Sequence, residues 1–264
     1  MLGQYILKRS GELAVLQKSM RLCALLAAKG IPVPVYVGGP IQKDGAYYSL
    51  MKKLPGAHPD PYAGDAYANG VQLGGLVAEL HGALREVPGD FECPDADCMK
   101  ELEEYILPEI RVPRGLRDYA YAFGPLYKAL PRQVIHRDPH TANMLFEGGT
   151  FTGWLDFDLS QRNARMLDLC YLGATLLVVN YRKTRRLRVW REIFRGVLDG
   201  YNGISPLSPE EYEVVPYLFV HVELLFAAFF SKNGQRKTSK SCMHMAKWLY
   251  RNRGILTSAQ EKLF

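Results

Sequence analysis

No two cysteines in this 264-residue chain stand at CxxC spacing. The five present (Cys23, Cys93, Cys98, Cys170 and Cys242) are odd in number and scattered, which argues against a disulfide framework. Cys93 and Cys98 lie in an acidic loop with no histidine nearby, so zinc is not expected there. Reduced thiols in a cytoplasmic protein fit better. The start has no charged stretch leading into an apolar run and a small-residue cleavage site, so no secretion signal is expected. The most apolar stretch, residues 217–230, is too short to span a bilayer and carries His221 and Glu223. It reads as a buried helix, and no membrane partner is expected. Repeats and low-complexity segments are absent too. With 48% hydrophobic and 23% charged residues, the chain is an ordinary globular one, long enough for one large domain or two modest lobes.

Basic residues exceed acidic ones, 33 to 27, and the excess is unevenly placed. Acid gathers over residues 86–104, and base over 182–195 and again over 232–253. Such runs are either solvated helix faces or an attraction for an anionic partner. The bases form no recognised nucleic-acid module, so no nucleic-acid partner is expected.

The first quarter is mixed. Residues 4–9 read as a strand and 11–29 as a helix, with Leu13, Leu16, Met20, Leu25 and Leu26 close to a helical stripe. Gly30, Pro32 and Pro34 end that helix. Residues 33–37 and 46–51 read as two strands joined by a turn at Lys43-Asp44-Gly45. Past a hinge at Leu54-Pro55-Gly56 the chain becomes mostly helical. Helices are expected over 68–84, 101–107, 114–130, 166–180, 187–201, 209–230 and 240–252, and short strands over 133–135, 144–147 and 151–157.

The most informative stretch reads Val-Ile-His136-Arg137-Asp138-Pro-His140-Thr-Ala-Asn143-Met-Leu-Phe and, after a turn, Gly-Trp-Leu-Asp156-Phe157-Asp158. An apolar strand delivers an acid on a turn, an amide follows five residues later, and a hairpin ends in two more acids. Phosphoryl transfer needs this inventory: one carboxylate to orient and deprotonate an acceptor hydroxyl, and an amide plus a carboxylate to hold magnesium against the phosphates. A capped polar turn beside an exposed hairpin is the bland alternative.

The order and spacing resemble the kinase signature, an acid and an asparagine in H-R-D-x-x-x-x-N followed by an Asp-Phe pair. Two further stretches narrow the resemblance. Leu73-Gly74-Gly75-Leu76-Val77-Ala78-Glu79-Leu80-His81 is similar to a helix of the aminoglycoside phosphotransferases, choline kinases and their relatives. Asp156-Phe157-Asp158 through Arg165 to Asp168-Leu is similar to the same family's metal acid, short loop and following helix. The resemblance implies an α+β, protein-kinase-like, two-lobed fold. Residues 1–54 would form a truncated N-terminal sheet lobe and residues 55–264 a larger, mainly helical C-terminal lobe. It also implies ATP and Mg2+ as cofactors and a small-molecule hydroxyl as acceptor. Asp138 would be the catalytic base, and Asn143 and Asp156 metal ligands. Asp158 would be either a second metal acid or a surface acid. His136 and Arg137 would support the turn, and Asp168 would be a buried brace beneath it. His81 reads as a satisfied core histidine, and His140 as either a substrate contact or a surface residue.

The first half departs from the family pattern. Lys8 stands where the lysine that contacts ATP phosphates would be, or is simply an edge-strand lysine. No acidic partner is evident in the following helix, where the family's position falls near Ser19. No Gly-rich hairpin precedes Lys8, so either the family's first two strands are missing or the protein begins upstream of Met1. Met51 and the backbone of Lys53 stand where a hinge would bind adenine, with a plain linker as the alternative. These departures keep a catalytically silent pseudokinase in view as a rival to a small-molecule kinase. Arg137 suggests a protein kinase, but the loop after Asp158 is too short for an activation segment. Residues 181–195, the candidate substrate region, are basic, which disfavours a polycationic acceptor if they face the cleft.

Overall fold

A computed structural model describes residues 2–177, 181 and 183–257. Strand β1 (Tyr5–Ser10) leads into helix α1 (Leu13–Ala28), which stops where Gly30 takes a φ of 77°. Strands β2 (Ile41–Lys43) and β3 (Ala46–Lys52) form a tight hairpin. Its turn residues Asp44 and Gly45 have φ of 49° and 72°, the left-handed pair that matches strand twist. The antiparallel sheet has the order β1-β3-β2, with Lys8 opposite Ser49. The strand expected over 33–37 is replaced by partial pairing. Among the described residues the pairing is one bridge, Tyr36 opposite Met51, with Val37 N–H to Leu50 O (2.9 Å) and Lys52 N–H to Val35 O (2.8 Å).

Helix α2 (Ala66–Arg85) is capped by the Asp65 carboxylate, which accepts from the Ala68 N–H. Next come α3 (Cys98–Glu101), a π-helical segment Leu102–Ile106, α4 (Leu107–Glu109), α5 (Arg114–Ala122) and α6 (Gly124–Lys128). Four strands follow: β4 (Arg132–Ile135), β5 (Met144–Glu147), β6 (Thr150–Trp154) and β7 (Gln161–Ala164). β5 and β6 make the expected hairpin, but β4 pairs with β7, which was not expected. β7 escaped notice because its sequence Gln-Arg-Asn-Ala has no apolar alternation. The strand expected to reach 157 stops at Trp154, since Asp156 is left-handed with φ 58°.

Helices α7 (Met166–Leu177), α8 (Thr184–Ile204), α9 (Pro209–Glu213), α10 (Val215–Lys232), α11 (Arg236–Arg251) and α12 (Gly254–Thr257) complete the fold. The end of the helix expected over 166–180, and Arg182 of the basic run, lie outside the described residues. The single helix expected over 209–230 is two, because Pro216 has no N–H to carry the ladder through Val214. α10 spans 18 residues, so by length and composition it could cross a membrane, contrary to the expectation from 217–230. Yet 61% of it is buried within the fold, as in a core helix.

α2 and α8 pack backbone to backbone. A Cβ on Gly74 would fall on the Val197 carbonyl, and one on Gly200 on the Val71 carbonyl. This close approach explains the glycine after Leu73. Below it, Trp190, Phe194, Phe219 and Tyr201 are fully buried. The segments that precede and follow the β2–β3 hairpin are tied to β5 and β6 through Trp154 N–H to Pro32 O (2.9 Å) and Ala57 N–H to Phe146 O (2.9 Å).

Candidate active site

β4 ends at Ile135 and the chain turns sharply at Arg137, whose φ is 75°. A non-glycine residue in this region costs about 1–3 kcal/mol and persists only where surroundings hold it. Here Asp168, from the first turn of α7 and fully buried, does so. Its carboxylate accepts from the His136 N–H (2.8 Å), the Arg137 N–H (2.9 Å) and His81 Nε2 (2.9 Å). His81 Nδ1 in turn meets the Tyr201 hydroxyl at 2.9 Å. His136 is buried, and its Nε2 donates to Leu155 O at 2.9 Å, tying the turn to the end of β6.

The turn presents Asp138. Its Oδ1 accepts from the Tyr171 hydroxyl (2.6 Å) and its Oδ2 from Asn143 Nδ2 (2.9 Å), with His140 Nε2 3.3 Å from Oδ1. Burial alone would raise the Asp138 carboxyl, but the bonds from His140 and Tyr171 hold it below its usual range. Burial and the Asp138 charge push the Tyr171 phenol up, so it remains a donor. Asn143 Nδ2 also donates to the Asp138 carbonyl at 2.9 Å, which turns the amide oxygen away from Asp138. Among the described residues none donates to that oxygen.

The second group lies beyond β6. Lys8 Nζ donates to Asp156 Oδ1 (2.9 Å) and to Asp158 Oδ1 (2.6 Å). Burial works against its ammonium, but the two acids raise its pKa and keep it charged. The Asp158 oxygen also accepts from the buried Ser19 hydroxyl at 2.6 Å. Lys18 Nζ donates to the Asp158 and Ser160 carbonyls, 2.7 Å each. At the place expected for a helix acid, α1 therefore supplies a serine, and Lys8 takes both partners from the loop after β6. Asp158 is tied into this knot rather than being a plain surface acid. Asp156 is half-exposed, with one oxygen on Lys8. The Leu155 N–H to Asn143 O bond (2.8 Å) sets the Asp156 and Asn143 backbones side by side. Two carboxylates and an amide oxygen are the hard donors that magnesium takes, so these residues fit that ion.

Met51 and Lys53 lie at and just beyond the end of β3. Met51 is in register with Ile6, and the Lys53 N–H is already engaged by Gln4 O at 2.9 Å. A cavity of about 520 Å³ runs beside them, lined by Gln4, Tyr5, Lys52 to Gly56 and Glu147.

Sequence reading missed three features. Tyr171 is one. The second is a buried ion cluster under the turn, in which Glu101 accepts from Arg137 Nη2 and His221 Nε2, both at 2.7 Å. Burial would raise Glu101, but Arg137 and His221 bring it down to about 2. Burial would lower His221, but contacts with Cys98 and Glu101 push it up to about 10. The third is a cavity of about 720 Å³ that opens onto Asp138 and His140 and is walled by residues of α10 and α11. Among the described residues, the basic ones of 183–195 do not line it. Arg186 and Arg195 instead stack over Tyr62 and Tyr67. Of the acids of 86–104, Glu92 meets Arg21, Asp95 meets Arg132, and Glu101, which lines the cavity, is bound by Arg137. The one available signal for the cavity was the Phe229-Phe230 pair near the end of a largely apolar helix.

A three-stranded sheet over a helical body, joined through a β-hairpin and an acid-bearing turn, is the fold of the kinase-like phosphotransferases. The chain belongs to the phosphotransferase enzyme family (APH), whose model matches residues 3–207. A homoserine kinase of Neisseria meningitidis serogroup B is 31% identical over 200 residues, covering 72% of this chain and 63% of that protein. One from Agrobacterium fabrum is 32% identical over 119 residues, 45% of this chain and 33% of that protein. The chain thus spans less than two thirds of either relative. Among solved structures, an aminoglycoside 2'-phosphotransferase bound to GDP superposes with a TM-score of 0.68 at 17% identity, covering 95% of this chain and 86% of that one. An amicoumacin kinase bound to AMP-PNP and Ca2+ gives 0.68 at 16%, covering 91% and 82%. A microcompartment-associated aminopropanol kinase gives 0.68 at 15%, covering 96% and 87%.

Proposed function

We propose that this protein transfers the γ-phosphoryl group of ATP, with magnesium, to a hydroxyl of a small molecule in the cytoplasm. The observation that carries the reading is the ionised Asp138 carboxylate, held by Tyr171 and Asn143 on a turn braced by buried Asp168. Relatives named for homoserine and structural neighbours named for aminopropanol and aminoglycosides, all small molecules, support it. So do the nucleotides bound in two of the neighbours.

In this reading Asp138 accepts the proton as the acceptor oxygen attacks phosphorus, and ADP leaves. Tyr171 and Asn143 fix the carboxylate so that a lone pair points at the hydroxyl, and such placement accounts for much of phosphoryl-transfer catalysis. Lys8 would move from the acids to phosphate oxygens. Asn143, Asp156 and Asp158 would hold the magnesium, which neutralises phosphate charge when bound. We place the lobe boundary at residues 54 and 55, with the cleft near Leu54. Met51 and the Lys53 carbonyl would face adenine, since the Lys53 N–H is taken.

One observation favours a silent binding module instead: Lys8 sits on both acids, where a metal ion would have to displace it. Calorimetry with ATP with and without magnesium, followed by ADP-release assays over a panel of alcohols, separates the two. The kinase reading expects magnesium-dependent binding and turnover. No binding at millimolar nucleotide would end it for this chain.

A further inference from the structure

Resting on Asp138 as the base, we infer that the acceptor is an uncharged alcohol with a large apolar body and a hydrogen-bond-accepting oxygen, seated against Phe226, Phe229 and Phe230. Asp138 and His140 line the same cavity as these rings, so a hydroxyl delivered to the base must carry its body along that wall. At about 720 Å³ the cavity is in the range that encloses a ligand of drug size. A body much smaller would leave apolar surface wet.

The wall itself is unusual for a water-facing surface. Residues 226, 229 and 230 follow the i, i+3, i+4 spacing that places them on one face of α10. Phe229 is 48% exposed, and Leu159 across the cavity is 56% exposed. Large hydrophobic side chains left open together mark a surface that a ligand covers.

Apart from Asp138, the lining carboxylate of the cavity is already paired. The carboxylates there are Asp138 and Glu101, and Glu101 is bound by both Arg137 and His221. A polycationic acceptor would bring several ammonium groups against a wall whose one acid without a Lys or Arg partner is Asp138, the base itself, and a buried unpaired charge is strongly unfavourable. What the cavity residues lack is an acceptor. Arg137 Nη1 and Gln161 Nε2 are buried N–H groups without a hydrogen-bond partner, and both residues line it. Native proteins seldom leave such donors unanswered. A carbonyl or ether oxygen near the reacting hydroxyl would serve either one after a small side-chain shift.

The test begins with binding, which does not require phosphotransfer. Naphthylethanol, decanol and a hydroxy ketone of similar size would be compared with homoserine and kanamycin by ligand-observed NMR, on the wild type and on Phe226→Ala and Phe229→Asp. Phe229 is half-exposed, so its variant keeps the fold if Phe226→Ala does not. The apolar alcohols should bind, the hydroxy ketone best, and each variant should weaken them about tenfold or more through lost ring contact. Mg-ATP affinity should be unchanged. In the turnover assay the same variants should raise KM for the alcohol more than they lower kcat. Binding of kanamycin or homoserine in preference, or apolar binding insensitive to both variants, overturns the inference. Failure of Mg-ATP to bind would instead overturn the phosphotransfer reading and leave the alcohol-binding result to be judged on its own.

Discussion

Removing the Asp168 carboxylate should cost both stability and activity, and the size follows from what it holds. Asp168→Ala leaves three donors without an acceptor in a fully buried place: the His136 N–H, the Arg137 N–H and His81 Nε2. At about 1–3 kcal/mol for each buried donor left unsatisfied, the simple sum is about 3–9 kcal/mol. The true value falls toward the lower half. His81 keeps its bond to Tyr201, and water can enter the space vacated, so about 3–5 kcal/mol is expected. That is a large share of the roughly 5–15 kcal/mol that folded domains possess. Asp168→Asn retains one acceptor oxygen but sets an NH2 against a backbone N–H, so about 2–3 kcal/mol is expected. Urea denaturation followed by tryptophan fluorescence reads these values, and the Asn variant serves if the Ala variant does not fold. Activity should fall with stability, because the left-handed Arg137 turn relaxes and Asp138 leaves its place. Asp138→Asn is the comparator. It should lose activity at near-wild-type stability. Asp168→Ala within about 1 kcal/mol of wild type, below what even one orphaned donor implies, would show that Asp168 does not brace the turn.

Asp138→Asn should lower kcat on the order of a hundredfold or more, the usual contribution of a positioned base, while calorimetric Mg-ATP affinity stays close to wild type. Asp156→Ala should do the reverse to binding, abolishing the magnesium-dependent part of nucleotide affinity in the same titration. Lys8→Met removes the ammonium bridging Asp156 and Asp158. Without nucleotide it should bind Mn2+ more tightly than wild type by electron paramagnetic resonance, yet bind Mg-ATP more weakly; weaker Mn2+ binding would contradict the displacement picture. The His221 imidazolium, raised to about 10 from an ordinary 6.5, stabilises the fold fully below pH 6.5 and loses that contribution as pH rises toward 10. The stability advantage of wild type over His221→Asn should therefore be greatest near pH 6 and shrink steadily to pH 10. A constant gap across that range would show that His221 is neutral in the folded protein.

Much of the fold was legible because its signals are local. The 3.6-residue apolar stripes of α1 and α2, the Asp44-Gly45 turn and the β5–β6 hairpin depend on residues near one another in the chain. The errors arose where a distant partner decides the outcome. β7 is a strand only because β4 offers it a ladder, and residues 33–37 meet β3 through the isolated Tyr36–Met51 bridge and not a full ladder. In the candidate site, the spacing from Asp138 to Asn143 was readable because an amide five residues on can reach back across a single turn. The role of Ser19 was not, since its hydroxyl matters only once α1 is laid 139 residues away against Asp158.

By itself, then, the amino-acid order determined which residue types stand on which turn and at what spacing. That is enough for the class of fold and for the acid, amide and acid-pair inventory, because strand, turn and helix formation are short-range choices. Tertiary structure alone decided what those groups face. It closed Lys8 onto two acids and set a tyrosine on Asp138 from the middle of α7. It turned the basic run toward α2, away from the cavity, and brought the aromatic face of α10 to Asp138 in its place. Each of these joins residues tens to more than a hundred positions apart. Such contacts form only when the burial of the whole core fixes the relative placement of its helices, and no local pattern encodes that placement.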